Sequence, residues 1–553
     1  MKKLVRNIGC VLLLAVAMSS CKKQLEDMYT DPDKTTNPTI EKLFSGMMDN
    51  NRVRPQYWDM RTLQFLQTGV YSQSITGVND QFVYRQTDGY VQSRWNDFYV
   101  PNNFTNNQGD YNSGSGPMAQ YRTIMRLYNA LPQGAEQENV EIFTWAAYTL
   151  LLDQASQMVD MFGDIPYSEA GGLDVSNTIT NAKFDGQKEL YDSIMNGLFQ
   201  CQAYFSSAFL NSSAKASFSV QDYVNHGDIV KWRRYANSLR LRLLMRTSFV
   251  DEATSKAAVQ QILAQDQQFL LIDGNRVGDN YNPGNTDVLL MQTTVYTDNL
   301  SSAFGDLKMP YAAPDYMLNT LMLPANDPRI PFMFDKFGRT DDNKAFIPNK
   351  TYRAMPADWG STTQLDSLTS FSTLDSTTYR YNSKIPGVMM SAPEVNFLLA
   401  EAVERWGTVG SSLSAQQYYE LGIRQSIAFL YFMYNLNPNK AEALTQPSTA
   451  DVDAFIAQPT IAYTGTTQEK LEKIWNQKWL YFGFTQTPQA WAETRRTDYP
   501  KFPKTYASTL SGYESAPSRF RYPASEISYN SSYKDVQAKD TRDAKIFWDV
   551  PQP

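Results

Sequence analysis

Residues 141–162 read Glu-Ile-Phe-Thr-Trp-Ala-Ala-Tyr-Thr-Leu-Leu-Leu-Asp-Gln-Ala-Ser-Gln-Met-Val-Asp-Met-Phe, and their spacing decides the fold class. Trp145, Tyr148, Leu152, Ala155, Val159 and Phe162 recur at steps of three and four, the period that lines up one face of a helix. Gly163-Asp164-Ile165-Pro166 follows. The glycine permits the left-handed turn that closes a helix, the aspartate can bond nearby backbone donors, and the proline keeps the chain extended. The same period predicts a second helix near 188–208, with Leu190, Ile194, Leu198 and Phe205 on one face. A third starts at Asp228, a good N-cap, and carries Trp232, Tyr235, Leu239, Leu243 and Arg246. A fourth covers about 255–264. Four antiparallel helices with short links predict a mainly α fold of stacked helix-turn-helix pairs, tetratricopeptide-like but without that class's strict repeat signature.

Outward from this block, a first helix is expected after Asn37-Pro38, since proline is tolerated in an early helical turn. Between 265 and 390 the periodicity fades, and Asn, Asp, Gly, Pro, Ser and Thr are dense. This stretch reads as a loop-rich irregular lobe with a short helical piece near 314–323. Helices return at 393–406, 415–433 and 468–481, with a short one after Pro488. The tail from Pro500 is loop-like and rich in Tyr and Pro. The chain divides into 1–20, 21–37 and a single α-rich body over 38–553. Within that body lie helical pairs (38–264) carrying an inserted loop at 76–118, the irregular lobe (265–390), and the C-terminal helices and tail (391–553).

The N-terminus is a secretory signal by layout: Lys2, Lys3 and Arg6, then an apolar run from Ile8 to Met18, then Ser19-Ser20-Cys21. The run is too short for a bilayer, which needs about 20 residues. Small residues directly before Cys21 are what a lipoprotein signal peptidase reads. Cleavage would leave Cys21 as the first residue, with lipid on its sulfur and a further acyl chain on its amine, and two or more chains anchor stably. Residues 22–37 then form a polar tether. Removing the three cations of the leader from the chain's 50 leaves 47 against 57 acids, a net charge of about −10. That balance disfavours nucleic acid. Cys201 is the one cysteine left over, so no internal disulfide forms. The single histidine, His226, precludes a multi-histidine metal site and reads as a turn residue before the third helix. Oxygen ligands at Asp279–Asp287 lack calcium-loop spacing, so neither metal nor cofactor is expected.

Four stretches, in order, resemble the SusD/RagB family of Bacteroidetes outer-membrane lipoproteins. They are Met161-Phe162-Gly163-Asp164-Ile165-Pro166-Tyr167-Ser168-Glu169-Ala170; Asp228-Ile229-Val230-Lys231-Trp232-Arg233-Arg234-Tyr235-Ala236-Asn237-Ser238-Leu239-Arg240-Leu241-Arg242-Leu243; Asn326-Asp327-Pro328-Arg329-Ile330-Pro331; and Ala392-Pro393-Glu394-Val395-Asn396-Phe397-Leu398-Leu399-Ala400-Glu401-Ala402. The ending Arg521-Tyr522-Pro523-Ala524-Ser525-Glu526 is similar to the close of the family's second SusD-like branch. The resemblance implies a non-catalytic, lipid-anchored protein of the outer membrane, facing the cell surface. It would capture an oligosaccharide, or in RagB-like members a peptide, and deliver it to a SusC-like TonB-dependent transporter. One departure is that Lys22-Lys23 stand where surface-exposed members often carry an acidic run. In this family the shared motifs build the frame, and variable loops hold the ligand. Glu401, on an apolar helix, is expected to pair with a cation such as Arg424.

A sugar offers C–H faces that suit flat rings and hydroxyls that suit Asn, Asp, Gln and Arg. The densest such mixture is 90–111, with Tyr90, Arg94, Trp95, Asn96, Asp97, Tyr99 and Asn102. Trp95 as a platform with Asn96 as a hydroxyl partner, flanked by Tyr90 and Tyr99, is the expected site. On that reading Trp95→Ala weakens binding and spares stability; the alternative is that Trp95 packs into the body and anchors the loop. Tyr296, Tyr311 and Trp359 in the lobe form a second candidate set. A glycoside hydrolase would need two opposed carboxylates roughly 5–9 Å apart, and no hydrolase motif is present.

Overall fold

The computed structural model describes residues 38–552 apart from 51, 54–55, 78–81, 100–115, 172–180, 265–269, 275–280, 293–299, 306–311, 361, 364–366, 408–409 and 441–442. The expected leader, Cys21 and the expected tether lie outside the described residues.

The N-terminal half is helical: α1 (Ile40–Met48), α2 (Asp88–Tyr99), α3 (Pro117–Ala130), α4 (Ala135–Phe162), α5 (Gln187–Ser207), α6 (Ser212–Gln221), α7 (Ile229–Thr247) and α8 (Glu252–Ala264). Helix α4 is buried almost all round, because α1, α3, α5, α6 and α7 each pack on it. It stops at Gly163, whose φ of 76° suits a residue without a β-carbon. Asp228 caps α7 as expected, its Oδ1 accepting from the amides of Val230 and Lys231. His226 sits in the preceding turn at φ 54°, and Cys201 is buried. A π-helical stretch, Met60–Gly69, precedes α2 and packs on a C-terminal helix.

The C-terminal half holds α9 (Ala392–Trp406), α10 (Ala415–Leu436), α11 (Thr449–Ile456), α12 (Thr467–Phe482) and α13 (Thr487–Thr497). Helix α9 lies between α10 and α12 and also touches α7, so the two halves share one hydrophobic core. Between them the irregular lobe is stitched by two-residue to four-residue strands. Val288–Leu290 pairs antiparallel with Gly387–Met390, Phe334–Asp335 with Thr373–Leu374, and Gly338–Thr340 with Phe346–Pro348. The expected helical piece is the π-helix Tyr316–Met322.

The insertion at 76–118 is not loop throughout. Helix α2 occupies its middle, with Val91, Arg94, Trp95 and Phe98 buried at helical spacing. Asp88, Tyr90, Gln92, Ser93 and Asn96 are more exposed, although Asp97 is buried with the apolar side, and this polar share gives the helix a loop-like composition.

The second and fourth sequence motifs meet inside the frame through a buried ion pair, and further buried pairs extend from them and beside them. Arg242 of α7 forks onto Glu394 of α9 at 2.6 and 2.7 Å. One turn on, Arg246 reaches Asp160 of α4 at 2.7 Å and Glu493 of α13 at 3.1 Å. Arg329 holds Asp327 and reaches Gln477 of α12 and Ser426 of α10. Glu401 of α9, fully buried, accepts from both terminal nitrogens of Arg496 at 2.8 and 2.7 Å and from the Trp475 indole at 2.9 Å. Its partners are therefore Arg496, Lys478 and Arg405, not Arg424. That arginine is half-exposed on α10 and pairs with Asp453. Such pairs gain little net stability, but removing one partner strands a charge in the core, which fixes how these helices register.

Candidate ligand site

Trp95 is not a platform. Only 2% of it is exposed. Its ring meets Phe162 edge-on at 4.9 Å and Tyr522 at 5.7 Å, and its indole N–H donates to Glu526 at 3.1 Å. It anchors α2 to the end of α4 and to the tail. Tyr99 stacks beside it, and its hydroxyl donates to the Pro166 carbonyl at 2.8 Å. Tyr90 is half-buried with its ring against Trp58, and Asn96 is half-buried on the same helix. Tyr296 and Tyr311 lie outside the described residues, as does Asn102. Trp359 packs edge-on against Phe371 at 5.6 Å, in a small apolar cluster with Ala312 and Met355.

That cluster backs a hollow assembled from distant segments. One wall is Val70 to Gly77 with Phe82 and Tyr84. A second is Ala312 and Pro314–Tyr316, a third Met355–Ala357, and a fourth Thr505–Ala507. Each wall is locked to the next. Thr76 bridges to Ala312, and Ala312 to Thr373. The Asp315 carboxylate accepts from the Ala357 amide at 3.0 Å and from Asn319 Nδ2 at 2.7 Å. Asn319 in turn brackets the backbone of Ala354. The Tyr506 amide donates to the Ala357 carbonyl at 2.7 Å. Gln73, at φ 50°, turns its Nε2 to the Tyr84 hydroxyl at 3.0 Å. Gly77 abuts the Phe82 ring so closely that a β-carbon there would collide with it.

Ile75, Phe82 and Met355 make an apolar floor, while Gln73, Asp315, Tyr316, Thr505 and Tyr506 bring polar atoms to the wall. Tyr316 and Tyr506 are half-buried and keep part of each ring exposed. Burial raises the Tyr84 phenol, and burial with nearby Glu472 and Tyr499 raises that of Tyr316. Both stay protonated at neutral pH, able to donate and to accept. The enclosed space is about 50 Å³, enough for a substituent but not a sugar ring, so a longer ligand must lie across the mouth. A larger open trough of about 390 Å³ runs past Trp491, Arg495 and Phe502. There the Arg495 guanidinium covers the Trp491 ring at 3.8 Å from its centre, leaving no free indole face. Among the described residues no group of three or more His, Cys, Asp or Glu side chains is placed to hold a metal ion.

A family model for SusD-like_2, described as "Starch-binding associating with outer membrane", matches residues 26–523. The chain belongs to this SusD-like family. Solved SusD-like structures share its fold. A chitin-binding SusD homologue from Flavobacterium johnsoniae is 23% identical, with a TM-score of 0.66 over 93% of this chain and 99% of that one. A SusD homologue from Bacteroides thetaiotaomicron is 19% identical, with a TM-score of 0.63 over 94% and 100%. A Bacteroidetes SusD-like protein is 20% identical, with a TM-score of 0.70 over 93% and 100%. No curated relative matches the chain. Within this SusD-like frame, the shared motifs supply buried ion pairs and the hollow is built by segments outside them. Gln73, Tyr84, Tyr316 and Tyr506 escape sequence reasoning because each is an ordinary polar or aromatic residue in a loop or short helix. The Tyr-rich and Pro-rich tail was the one local signal pointing toward Tyr506.

Proposed function

We propose that this SusD-like protein holds a glycan across the mouth of the hollow and releases it unaltered to a SusC-like TonB-dependent transporter. Cys21 moors it to the outer membrane through lipid, with the binding face toward the cell surface. The observation that carries the reading is the mixture at the hollow: an apolar floor, two part-exposed tyrosine rings and a rim of amide and hydroxyl groups. Rings stack on the C–H face of a sugar and the rim exchanges hydrogen bonds with its hydroxyls. The family's own description and the chitin-binding relative support a glycan. Binding without turnover is favoured because Asp315, the one carboxylate among the described lining residues, is engaged by Ala357 and Asn319. Glycoside hydrolysis needs two opposed carboxyl groups.

The test is calorimetry on the chain lacking residues 1–21, titrated with chitin oligosaccharides of increasing length and then with starch oligosaccharides. Affinity should rise with length, and the ligand should be recovered intact. Binding of peptides but no glycan would overturn the ligand class, and shortened oligosaccharides would overturn the non-catalytic reading. Palmitate incorporation that is lost in Cys21→Ala tests the anchor. Co-purification of a barrel transporter from solubilised outer membranes tests the partner.

A further inference from the structure

A second cavity, also about 50 Å³, lies inside the frame, where α2, α4, α7 and the turn before α13 meet. Its walls are polar. Arg52, Arg94, Gln64 and Gln154 line it, each no more than 4% exposed, together with Asp153, whose carboxylate is held by Arg242 and the Tyr235 hydroxyl. Among the described residues, Arg52 Nε and Nη2, Arg94 Nε, Gln64 Oε1 and Gln154 Oε1 find no hydrogen-bond partner.

Arg52 differs from the other buried arginines that join helices here. Arg242, Arg246, Arg329 and Arg496 each hold a carboxylate. Arg52 forms no ion pair among the described residues; its Nη1 donates to the Arg94 carbonyl at 2.5 Å, and its guanidinium lies over the Phe98 ring. Arg94 leans on Asp59 at 3.0 Å, and Asp59 also accepts from Gln64 Nε2 at 2.9 Å. Asp97 and Asp59 attract Arg52, but burial pushes the Asp97 carboxyl up to about 7 and Asp59 is shared with Arg94, so the two carboxylates balance the two arginines incompletely. A buried cation whose charge is incompletely balanced is unfavourable.

The two free nitrogens of Arg52 are adjacent on the guanidinium edge. That edge presents two parallel N–H groups, the fork that matches two oxygens of a planar oxyanion. A space of about 50 Å³ exceeds the volume one water requires, yet excludes a sugar. We infer that this cavity is a binding site for a small planar monoanion of the carboxylate or nitrate type, held by the Arg52 fork and Arg94 and serving as an internal counter-ion between α2 and the helical frame. Water donating to Gln64 and Gln154 completes the site.

The experiment is thermal unfolding of the chain lacking residues 1–21, dialysed into gluconate and titrated at constant ionic strength with formate, nitrate or chloride. Formate and nitrate should raise the midpoint saturably, by about 2–3 °C at 100-fold over the half-saturating concentration for a chain of this size. Chloride, which cannot bridge the fork, should act more weakly. Arg52→Gln should abolish the rise. If that variant does not fold, Arg52→Lys keeps the charge without the fork and should lose the preference for nitrate over chloride. A crystal grown in nitrate should show a planar anion against Arg52 Nε and Nη2. Equal responses to all three salts in the parent, a rise that persists in Arg52→Gln, a nitrate preference retained in Arg52→Lys, or water alone at the fork would overturn the assignment.

Discussion

Trp95→Ala separates an anchoring role from a ligand platform, and its effect can be sized from the packing. The ring is buried against Phe162, Tyr99 and Tyr522, so truncation leaves a cavity between α2, the end of α4 and the tail. Removing a buried Trp side chain costs about 3–5 kcal/mol. Losing the indole donor adds under about 1 kcal/mol, because half-buried Glu526 can turn its oxygen to water. With an unfolding entropy of about 2.1 cal/mol/K per residue, roughly 500 ordered residues give about 1 kcal/mol per degree. The melting temperature should therefore fall by about 3–6 °C, with a matching drop in urea midpoint. Trp95→Phe keeps most of the ring contact and should lose about 1–2 kcal/mol. Neither variant should change affinity for a glycan that the parent binds, since Trp95 does not line the hollow. A Trp95→Ala protein that melts with the parent but has lost glycan binding would refute the anchoring role.

Three further outcomes follow from named contacts. Tyr506→Ala should weaken glycan binding at least tenfold by calorimetry and lower the melting temperature by no more than about 1–2 °C, because the residue is only partly buried. Burial alone would raise the Glu401 carboxyl, but Arg496 and Lys478 outweigh it and hold it at about 2. Its folded value lies below its unfolded one, so roughly 3 kcal/mol of stability is present above about pH 4.5 and lost as pH falls toward 2. Urea titrations of Glu401→Gln should show this acid-sensitive component missing, with a loss at pH 7 of about 3–5 kcal/mol. Asp287 runs the other way: burial lifts it to about 7 despite hydrogen bonds from Tyr281 and Thr286. A raised acid stabilises fully below about pH 3.8, and that contribution is lost as pH climbs through 7. Asp287→Asn should therefore lose this component, its urea midpoint falling less than the parent's as pH rises from about 4 to 7.

Local pattern alone was enough for α4, α5, α7 and α8, for the Asp228 cap and for the Gly163 stop, because amphipathic spacing and capping act within a few residues. It misled at α2, where a polar outer face concealed Val91, Trp95 and Phe98 on the inner one. It paired Glu401 with Arg424, a partner on a neighbouring helix, although the buried cation it meets is Arg496, 95 positions away. The hollow was beyond its reach altogether. Gln73 and Tyr84, Asp315 and Tyr316, and Thr505 and Tyr506 come together only because the helical frame and the short strand pairs of the lobe set three remote segments side by side. The sequence determined a helical frame by short-range rules. Which rings face a ligand and which fill the core was decided by tertiary packing, since the two kinds of tyrosine and tryptophan carry the same local signature.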